Sequence, residues 1–145
     1  MKIHRIDHVG IVVNDLSAAK EFFLDLGLEL QGEVLLEGKW LDKTVGLDNI
    51  KTEIVMLKTP GGGMNLELSK FHRPSDEGDV QSPLANTLGI RHIAFVVEDI
   101  EAVVAKLKKK GVEFFSEIQI YEDSYKLCYF RGPEGIILEL AEEIR

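Results

Sequence analysis

The stretch Ile6-Asp7-His8-Val9-Gly10-Ile11-Val12-Val13-Asn14-Asp15-Leu16 occurs a second time as Ile90-Arg91-His92-Ile93-Ala94-Phe95-Val96-Val97-Glu98-Asp99-Ile100. The second copy begins 84 residues after the first, and the match extends without a gap from residue 6 to residue 30. Within it Gly27 matches Gly111. A repeat at a fixed offset indicates that one chain builds two similar modules.

A second pair of matching segments closes each copy. Gly-Met-Asn-Leu-Glu-Leu-Ser at 63–69 matches Gly-Ile-Ile-Leu-Glu-Leu-Ala at 135–141. The offset here is 72 instead of 84, so the first copy contains twelve residues that the second lacks. Each copy therefore runs from a segment with one histidine to a segment with one glutamate.

The pattern of apolar residues predicts a strand, a helix and three further strands in each module. In the first module apolar and polar side chains alternate along the first segment, Asn14-Asp15 supply a helix cap, and Gly27 ends the helix. The first module is predicted to have strands at 3–13, 28–36, 52–58 and 64–69 and a helix at 16–26. The second is predicted to have strands at 90–97, 112–120, 124–131 and 136–141 and a helix at 100–110.

These elements predict an α+β fold of two βαβββ modules, which form a curved, cup-like mixed sheet with the helices on its outer face. We expect the first module at 1–69, a linker rich in Pro, Ser and Gly at 70–88, and the second module at 89–145. Together they are expected to make one compact domain.

Composition excludes several classes of protein. The 145 residues are 45% hydrophobic and 29% charged, as in ordinary globular proteins. Seventeen Lys and Arg against 25 Asp and Glu give a net charge of −8, which argues against a nucleic-acid binder. No apolar run approaches the length of a membrane span. The single Cys128 and the lack of a signal peptide favour a cytoplasmic location.

The repeat singles out His8, Glu67, His92 and Glu139 as a candidate metal site. The helix covers the apolar side of each first strand, so the histidine points to the other side of the sheet. An inward-facing Glu between two leucines is costly to bury unless it is paired or bound to a metal, and this pattern occurs twice. Imidazole and carboxylate ligands suit one divalent ion per site, Fe, Mn, Co, Ni or Zn. His4 and His72 are interpreted as structural and solvated residues.

The same motifs resemble the vicinal oxygen chelate superfamily, which includes glyoxalase I, methylmalonyl-CoA epimerase, extradiol dioxygenases and the fosfomycin and bleomycin resistance proteins. The resemblance covers nearly the whole chain. The motifs that carry it are Asp7 to Val13 with Asp15, Leu66-Glu67-Leu68, Arg91 to Phe95, and the run from Phe130 to Leu140. The metal-ligand pattern is most similar to that of glyoxalase I, whose His, Glu, His, Glu set it matches.

That resemblance implies an isomerase or lyase, similar to lactoylglutathione lyase or to the epimerases. In such enzymes the metal stabilises an enediolate or enolate of a small substrate with two adjacent oxygens, and a ligand glutamate moves a proton. Glu139 is the first candidate for the base and Glu67 the second. Epimerases typically have Gln at the second ligand position, where this chain has Glu67.

Two alternatives stay open. Extradiol Fe(II) dioxygenases carry a Tyr ten residues before the last carboxylate ligand, as Tyr129 precedes Glu139 here. A non-catalytic protein that sequesters an antibiotic is the other, although such proteins usually lack the ligands. Tyr129, Tyr125 and Trp40 are the candidate substrate-binding residues. The family also implies a homodimer, with the site inside one chain or shared between subunits.

Overall fold

The computed structural model describes residues 2–76, 78 and 82–144. The chain divides into two compact units, Met1–Gly78 and Asp79–Arg145. We call these unit 1 and unit 2 and describe each by itself. Each contains one copy of the sequence repeat, and each has a four-stranded mixed sheet.

The described residues of unit 1 form four strands and two helices. Its sheet has the order β1-β4-β3-β2, in which β1 is parallel to β4 and the other neighbours are antiparallel. The elements in chain order are β1 (His8–Val12), α1 (Leu16–Leu26), β2 (Glu29–Glu37), α2 (Lys39–Val45), β3 (Lys51–Lys58) and β4 (Asn65–Arg73).

Unit 2 repeats this plan with one helix. Its sheet has the order β5-β8-β7-β6, again with one parallel pair, β5 and β8. The elements in chain order are β5 (His92–Val96), α3 (Ile100–Lys109), β6 (Gln119–Tyr121), β7 (Tyr125–Arg131), a short 3₁₀ turn (Pro133–Gly135) and β8 (Ile137–Glu143). The prediction of an α+β fold with two related modules is confirmed.

Matching aspartates begin the two long helices. The Asp15 carboxylate accepts a hydrogen bond from the amide of Ala18 at 3.0 Å, and the Asp99 carboxylate accepts one from Ala102 at 3.1 Å. Each therefore satisfies an amide that would otherwise lack a partner at the start of a helix. Gly27 follows α1 with a φ of 122°, a conformation that suits glycine.

The buried core of each unit lies between its sheet and its helix. Leu66 and Leu68 on β4 are buried together with Phe23 of α1. In unit 2 Ile100 of α3 is fully buried together with Phe130, Leu138 and Leu140 of the sheet, and Ile137, on the opposite face of β8, is fully buried as well. Because strand residues alternate between faces, burial of one set directs the intervening residues to the opposite face.

Several elements differ from those predicted. Helix α2 interrupts a region without a predicted helix, so unit 1 has one helix more than the βαβββ plan. Strand β4 continues past 69 to Arg73, because its pairing with β3 extends to Lys51. His72 therefore lies on a strand and not in a linker, where its Nε2 is 2.6 Å from Glu53 Oε1.

A further difference concerns the segment after α3. A strand is predicted at 112–120, but the structure has an isolated bridge between Phe114 and Phe130, followed by the short β6. The predicted first strand at 3–13 is also longer than β1. Among the described residues, no helix has both the length and the apolar character needed to cross a membrane.

Candidate metal centre

The first predicted pair of ligands comes together on the uncovered face of unit 1. Nε2 of His8 lies 3.3 Å from Oε2 of Glu67, across the parallel pair of strands β1 and β4. The side chain of Glu67 is 25% exposed, whereas its neighbours Leu66 and Leu68 are buried on the other face. The alternation predicted around Glu67 is thus present.

The second pair has the same geometry in unit 2. Nε2 of His92 lies 3.3 Å from Oε1 of Glu139, and this carboxylate is more buried, with 13% of the side chain exposed. Strands β5 and β8 are parallel, as are β1 and β4. Each unit therefore presents one imidazole nitrogen and one carboxylate side by side.

The face beside each glutamate has room for a further atom. Gly10 lies opposite Glu67 in the ladder, and a methyl group added there would approach Glu67 Oε1 no closer than 3.8 Å. In unit 2 the matching residue opposite Glu139 is Ala94. Small side chains at both positions leave the glutamate oxygens accessible.

A contact of Asp7 with His8 was not predicted from the sequence. The Asp7 carboxylate lies 2.9 Å from Nδ1 of His8 and 2.6 Å from Nη2 of Arg5. The hydrogen bond from His8 holds the pKa of Asp7 below its ordinary value, and Arg5 lowers this pKa further. In return, Asp7 raises the pKa of His8, with a smaller upward effect of the Glu67 charge opposed by partial burial.

This contact fixes which nitrogen of His8 faces Glu67. An imidazole that donates Nδ1–H to Asp7 has its lone pair on Nε2, and Nε2 is the nitrogen beside Glu67. A carboxylate behind a histidine is the usual arrangement for a metal-ligating imidazole. The donors of unit 1 thus fit a divalent cation, as do Nε2 of His92 and the Glu139 carboxylate.

Tyr129 lies beside the second pair. Its hydroxyl is 3.4 Å from Nε2 of His92, and the two rings are 5.0 Å apart. Burial raises the pKa of Tyr129, and the charge of Glu139 and a hydrogen bond to it raise this pKa further. Tyr129 is therefore a neutral phenol near neutral pH, and its O–H is directed to the His92 and Glu139 pair.

The other two candidates for substrate binding lie elsewhere in their units. Tyr125 begins β7 opposite Glu143, four residues before Tyr129 and thus about 13 Å along the strand. Trp40 lies on α2 with 58% of its surface exposed. Their assignment as substrate-binding residues stays a prediction.

A group of three carboxylates near α3 serves another purpose. Asp99, Glu101 and Glu142 each place an oxygen within 4.8 Å of the others. However, Asp99 caps α3, Glu142 accepts a hydrogen bond from the amide of Ile100, and Lys126 pairs with both Glu101 and Glu142. The helix cap and the ion pairs with Lys126 explain why these three carboxylates lie close together. We therefore assign no metal to the group.

Comparison with known proteins connects this geometry to one family. Residues 7–129 match the family model of the Glyoxalase/Bleomycin resistance protein/Dioxygenase superfamily. The chain is 30% identical to the uncharacterized protein YaeR of Escherichia coli over 145 residues, which cover 97% of this chain and 98% of YaeR. It is also 27% identical to the mitochondrial methylmalonyl-CoA epimerase of Mus musculus, over 97% of this chain and 74% of the epimerase.

A solved structure agrees with these matches along the full chain. The crystal structure of a glyoxalase family protein from Bacillus cereus has a TM-score of 0.95 and 43% sequence identity, covering 100% of this chain and 97% of that one. Both the sequence motifs and the fold are therefore those of one family. The chain belongs to the glyoxalase, bleomycin resistance protein and dioxygenase superfamily.

Proposed function

We propose that the chain is a divalent-metal-dependent isomerase or lyase that moves a proton between neighbouring carbons of a small substrate with two adjacent oxygens. The observation that carries this proposal is the duplicated pair, in which a histidine Nε2 lies 3.3 Å from a glutamate oxygen in each unit. The similarity to the mouse epimerase supports proton transfer as the type of reaction.

Four residues would hold the metal: His8, Glu67, His92 and Glu139. We propose that they act on one ion per site, within one chain or across a homodimer. A bound divalent ion, of Ni, Co, Zn, Mn or Fe, would polarise a substrate carbonyl and so acidify the adjacent C–H bond. Asp7 would orient the imidazole of His8 so that Nε2, which lies beside Glu67, meets the metal, and its negative charge would make Nε2 a stronger donor.

Glu139 is our first choice for the base and Glu67 our second. The Glu139 carboxylate is the more buried of the two, and Tyr129 provides a second polar group beside it. We propose that an oxygen of Glu139 takes the proton from the substrate carbon and delivers it to the neighbouring carbon. Burial keeps bulk water away from the proton during this transfer.

Metal content tests this proposal. The protein is purified without chelator, and bound metal is measured by elemental mass spectrometry for the wild type, His92→Ala and Glu67→Gln. We expect about one equivalent per site in the wild type and a loss in His92→Ala. His72→Ala is the matched control, because His72 also pairs with a glutamate but lies outside the proposed ligands. A wild type that takes up none of the five metals would overturn the proposal.

The reaction itself is tested by hydrogen exchange. Candidate hydroxyketones, hemithioacetals and 2-substituted acyl thioesters are incubated in D₂O, and deuterium entering the carbon next to the carbonyl is followed by NMR. We expect exchange with the wild type and its loss in Glu139→Gln even where the variant still binds metal. Exchange that survives both Glu139→Gln and Glu67→Gln would contradict the assignment of the base.

A second candidate is a dioxygenase of the extradiol type, which the position of Tyr129 favours. Its hydroxyl lies 3.4 Å from a proposed metal ligand and is protonated near neutral pH, as an acid at a reacting oxygen needs to be. Tightly held Fe(II) together with oxygen consumption on catechols would support this reading. Nickel, cobalt, zinc or manganese as the native metal would favour proton transfer.

A further inference from the structure

The strand next to each glutamate strand carries a cation on the ligand face. In unit 1, Met56 of β3 lies opposite Glu67, so Lys58, two residues later, lies on the same face. By the same register Lys58 would lie opposite Asn65, which in turn lies opposite His8. Lys58 is thus two strands from the histidine, about 10 Å across the sheet.

Unit 2 repeats this placement with an arginine. Tyr129 of β7 lies opposite Glu139, and Arg131 lies opposite Ile137, which lies opposite His92. The two modules have therefore kept three features on this face of the sheet: a histidine, a glutamate and a cation. The positions of Lys58 and Arg131 in their ladders are the same, although the surrounding sequences differ.

The Arg131 guanidinium is held in place without a carboxylate. Its central carbon lies 4.9 Å from the centre of the Phe115 ring, and Nη1 donates a hydrogen bond to the carbonyl of Gly135 at 3.0 Å. The Phe115 ring also lies 6.1 Å from that of Tyr129. Among the described residues, one of the five guanidinium N–H donors is thus used, and the Phe115 ring lies against the guanidinium.

Two other cations of these sheets, Arg73 and Lys126, have acidic partners. Arg73 at the end of β4 pairs with Glu37 at 2.8 Å, and Lys126 on β7 pairs with Glu101 at 2.8 Å. Across the described part of the chain neither Lys58 nor Arg131 has an ion pair. In a chain with net charge −8, a half-buried arginine without a carboxylate partner, on the face that holds the ligand pair, has unused capacity to bind an anion.

We propose that Arg131 binds an oxyanion of the substrate, a carboxylate or a phosphate, and that Lys58 is its counterpart in unit 1. This inference rests on the proposed function and narrows its substrate class to small acids. The guanidinium fork would hold two oxygens of the anion, while Lys58 would act as a point charge. Since Arg131 and His92 are two strands apart, the anionic group lies several ångströms, a few bonds, from the reacting carbonyl.

The experiment uses metal-free full-length protein, so that anion binding is measured apart from metal binding. Malonate, inorganic phosphate and neutral malonamide are titrated at constant ionic strength. The Arg131 Nε–H resonance is followed by ¹H–¹⁵N NMR and is assigned by its absence in Arg131→Gln. We expect saturable shifts with malonate or phosphate and none with malonamide. A stronger response to malonate identifies a carboxylate substrate, and a stronger response to phosphate identifies a phosphate ester.

The variants separate this site from general charge effects. Arg131→Gln is expected to weaken anion binding by about tenfold or more, read from the backbone amides of Phe115 and Tyr129. Arg131→Lys should restore part of it, and Lys58→Gln should give a smaller loss. Arg73→Gln removes the same charge from a paired arginine and is expected to leave binding unchanged. Equal losses in Arg73→Gln and Arg131→Gln, or equal shifts with malonamide and malonate, would overturn the inference.

The two proposals fail separately. If the protein takes up metal but shows no specific response to anions, the proposed reaction stands and the assignment of an anionic substrate to Arg131 is wrong. A protein that binds malonate through Arg131 but takes up no metal is a carrier of small acids instead of a metalloenzyme.

Discussion

Asp7 and Arg91 occupy the same position in the two copies of the repeat, directly before the histidine, yet they carry opposite charges. The Asp7 carboxylate lies 2.9 Å from Nδ1 of His8, whereas no ion pair of Arg91 is present among the described residues. The two proposed metal ligands therefore differ in their surroundings even though each lies 3.3 Å from its glutamate. His8 has a carboxylate behind it, and His92 has the phenol of Tyr129 beside it.

We predict that Asp7→Asn lowers the pKa of His8, because it removes the charge that stabilises the imidazolium. The titration of the His8 ring protons in metal-free protein, followed by NMR, measures this change. The ring signals of His72 provide an internal control, since the partner of His72 is Glu53. An unchanged midpoint for His8 in Asp7→Asn would show that the hydrogen bond is absent in solution.

The same contact has a defined effect on stability. Because the folded-state pKa of His8 is raised, its contribution is fully present below the unfolded value of about 6.5 and is lost as the pH rises through the folded value. Asp7 behaves in the opposite sense: its lowered pKa contributes stability above the ordinary value, and this is lost as the pH falls. Urea unfolding of the wild type and of Asp7→Asn, from acid pH to above neutral pH, measures the contributions of His8 and Asp7 to the free energy of unfolding.

Tyr129 provides a second prediction about ionisation. Burial raises its pKa and the Glu139 charge raises it further, so Glu139→Gln should lower the pKa of Tyr129. Tyrosinate absorbance measured against pH gives the result, and the difference between wild type and Tyr129→Phe isolates this residue from the other two tyrosines. A midpoint that is insensitive to Glu139→Gln would place the phenol away from the carboxylate.

The matching helix caps predict matching losses of stability. Asp15→Ala and Asp99→Ala each remove a side-chain acceptor for a first-turn amide and should each cost about 1 kcal/mol of unfolding free energy. Asparagine at the same positions retains an acceptor and should preserve most of the stability. Chemical denaturation of the four variants makes the comparison, and equal losses for Ala and Asn would indicate that charge, not capping, is responsible.

Gly132 allows a sharper test of core packing. A methyl group on Gly132 would lie 2.6 Å from Cδ1 of the fully buried Leu138, so Gly132→Ala should destabilise the protein by about 1–3 kcal/mol. Gly61→Ala is the control, because an added methyl there meets no atom within 4 Å and Gly61 does not have a positive φ. A midpoint of thermal unfolding for Gly132→Ala equal to that of Gly61→Ala would contradict the packing described for the turn before β8.

The repeat explains why much of the fold could be predicted. Strand alternation placed His8 and Glu67 on one face and the flanking leucines on the other, and the register of β1 and β4 then brings the two side chains together. The same argument held for His92 and Glu139. The helix caps at Asp15 and Asp99 could also be predicted from the sequence, because a capping residue bonds to its own helix and needs no distant partner.

Helix α2 could not be predicted in this way. It has seven residues, and Leu41 is the buried one among them, so no apolar stripe develops for periodicity to detect. It is held instead by the Asp42 carboxylate, which accepts hydrogen bonds from the amides of Asn49 and Ile50. Such contacts depend on the path of the chain after the helix.

The charged residues of the site face were missed for a related reason. Arg131 follows Tyr129 by two positions, so alternation alone could have placed it on the ligand face. Its contact with Phe115 depends on how the irregular segment after α3 pairs with β7, where the amide of Phe115 donates to the carbonyl of Tyr129. A register between a strand and an irregular segment leaves no periodic signal in sequence.

Helix α2 lies away from the strands that carry the proposed metal ligands of unit 1. In unit 1 the histidine and glutamate strands, β1 and β4, lie at one edge of the sheet, while α2 joins the two strands at the other edge, β2 and β3. Residues 38–46 lie outside β1 and β4. A mutagenesis library confined to this connection would therefore vary the surface of unit 1 while the strands that carry His8 and Glu67 keep their sequence.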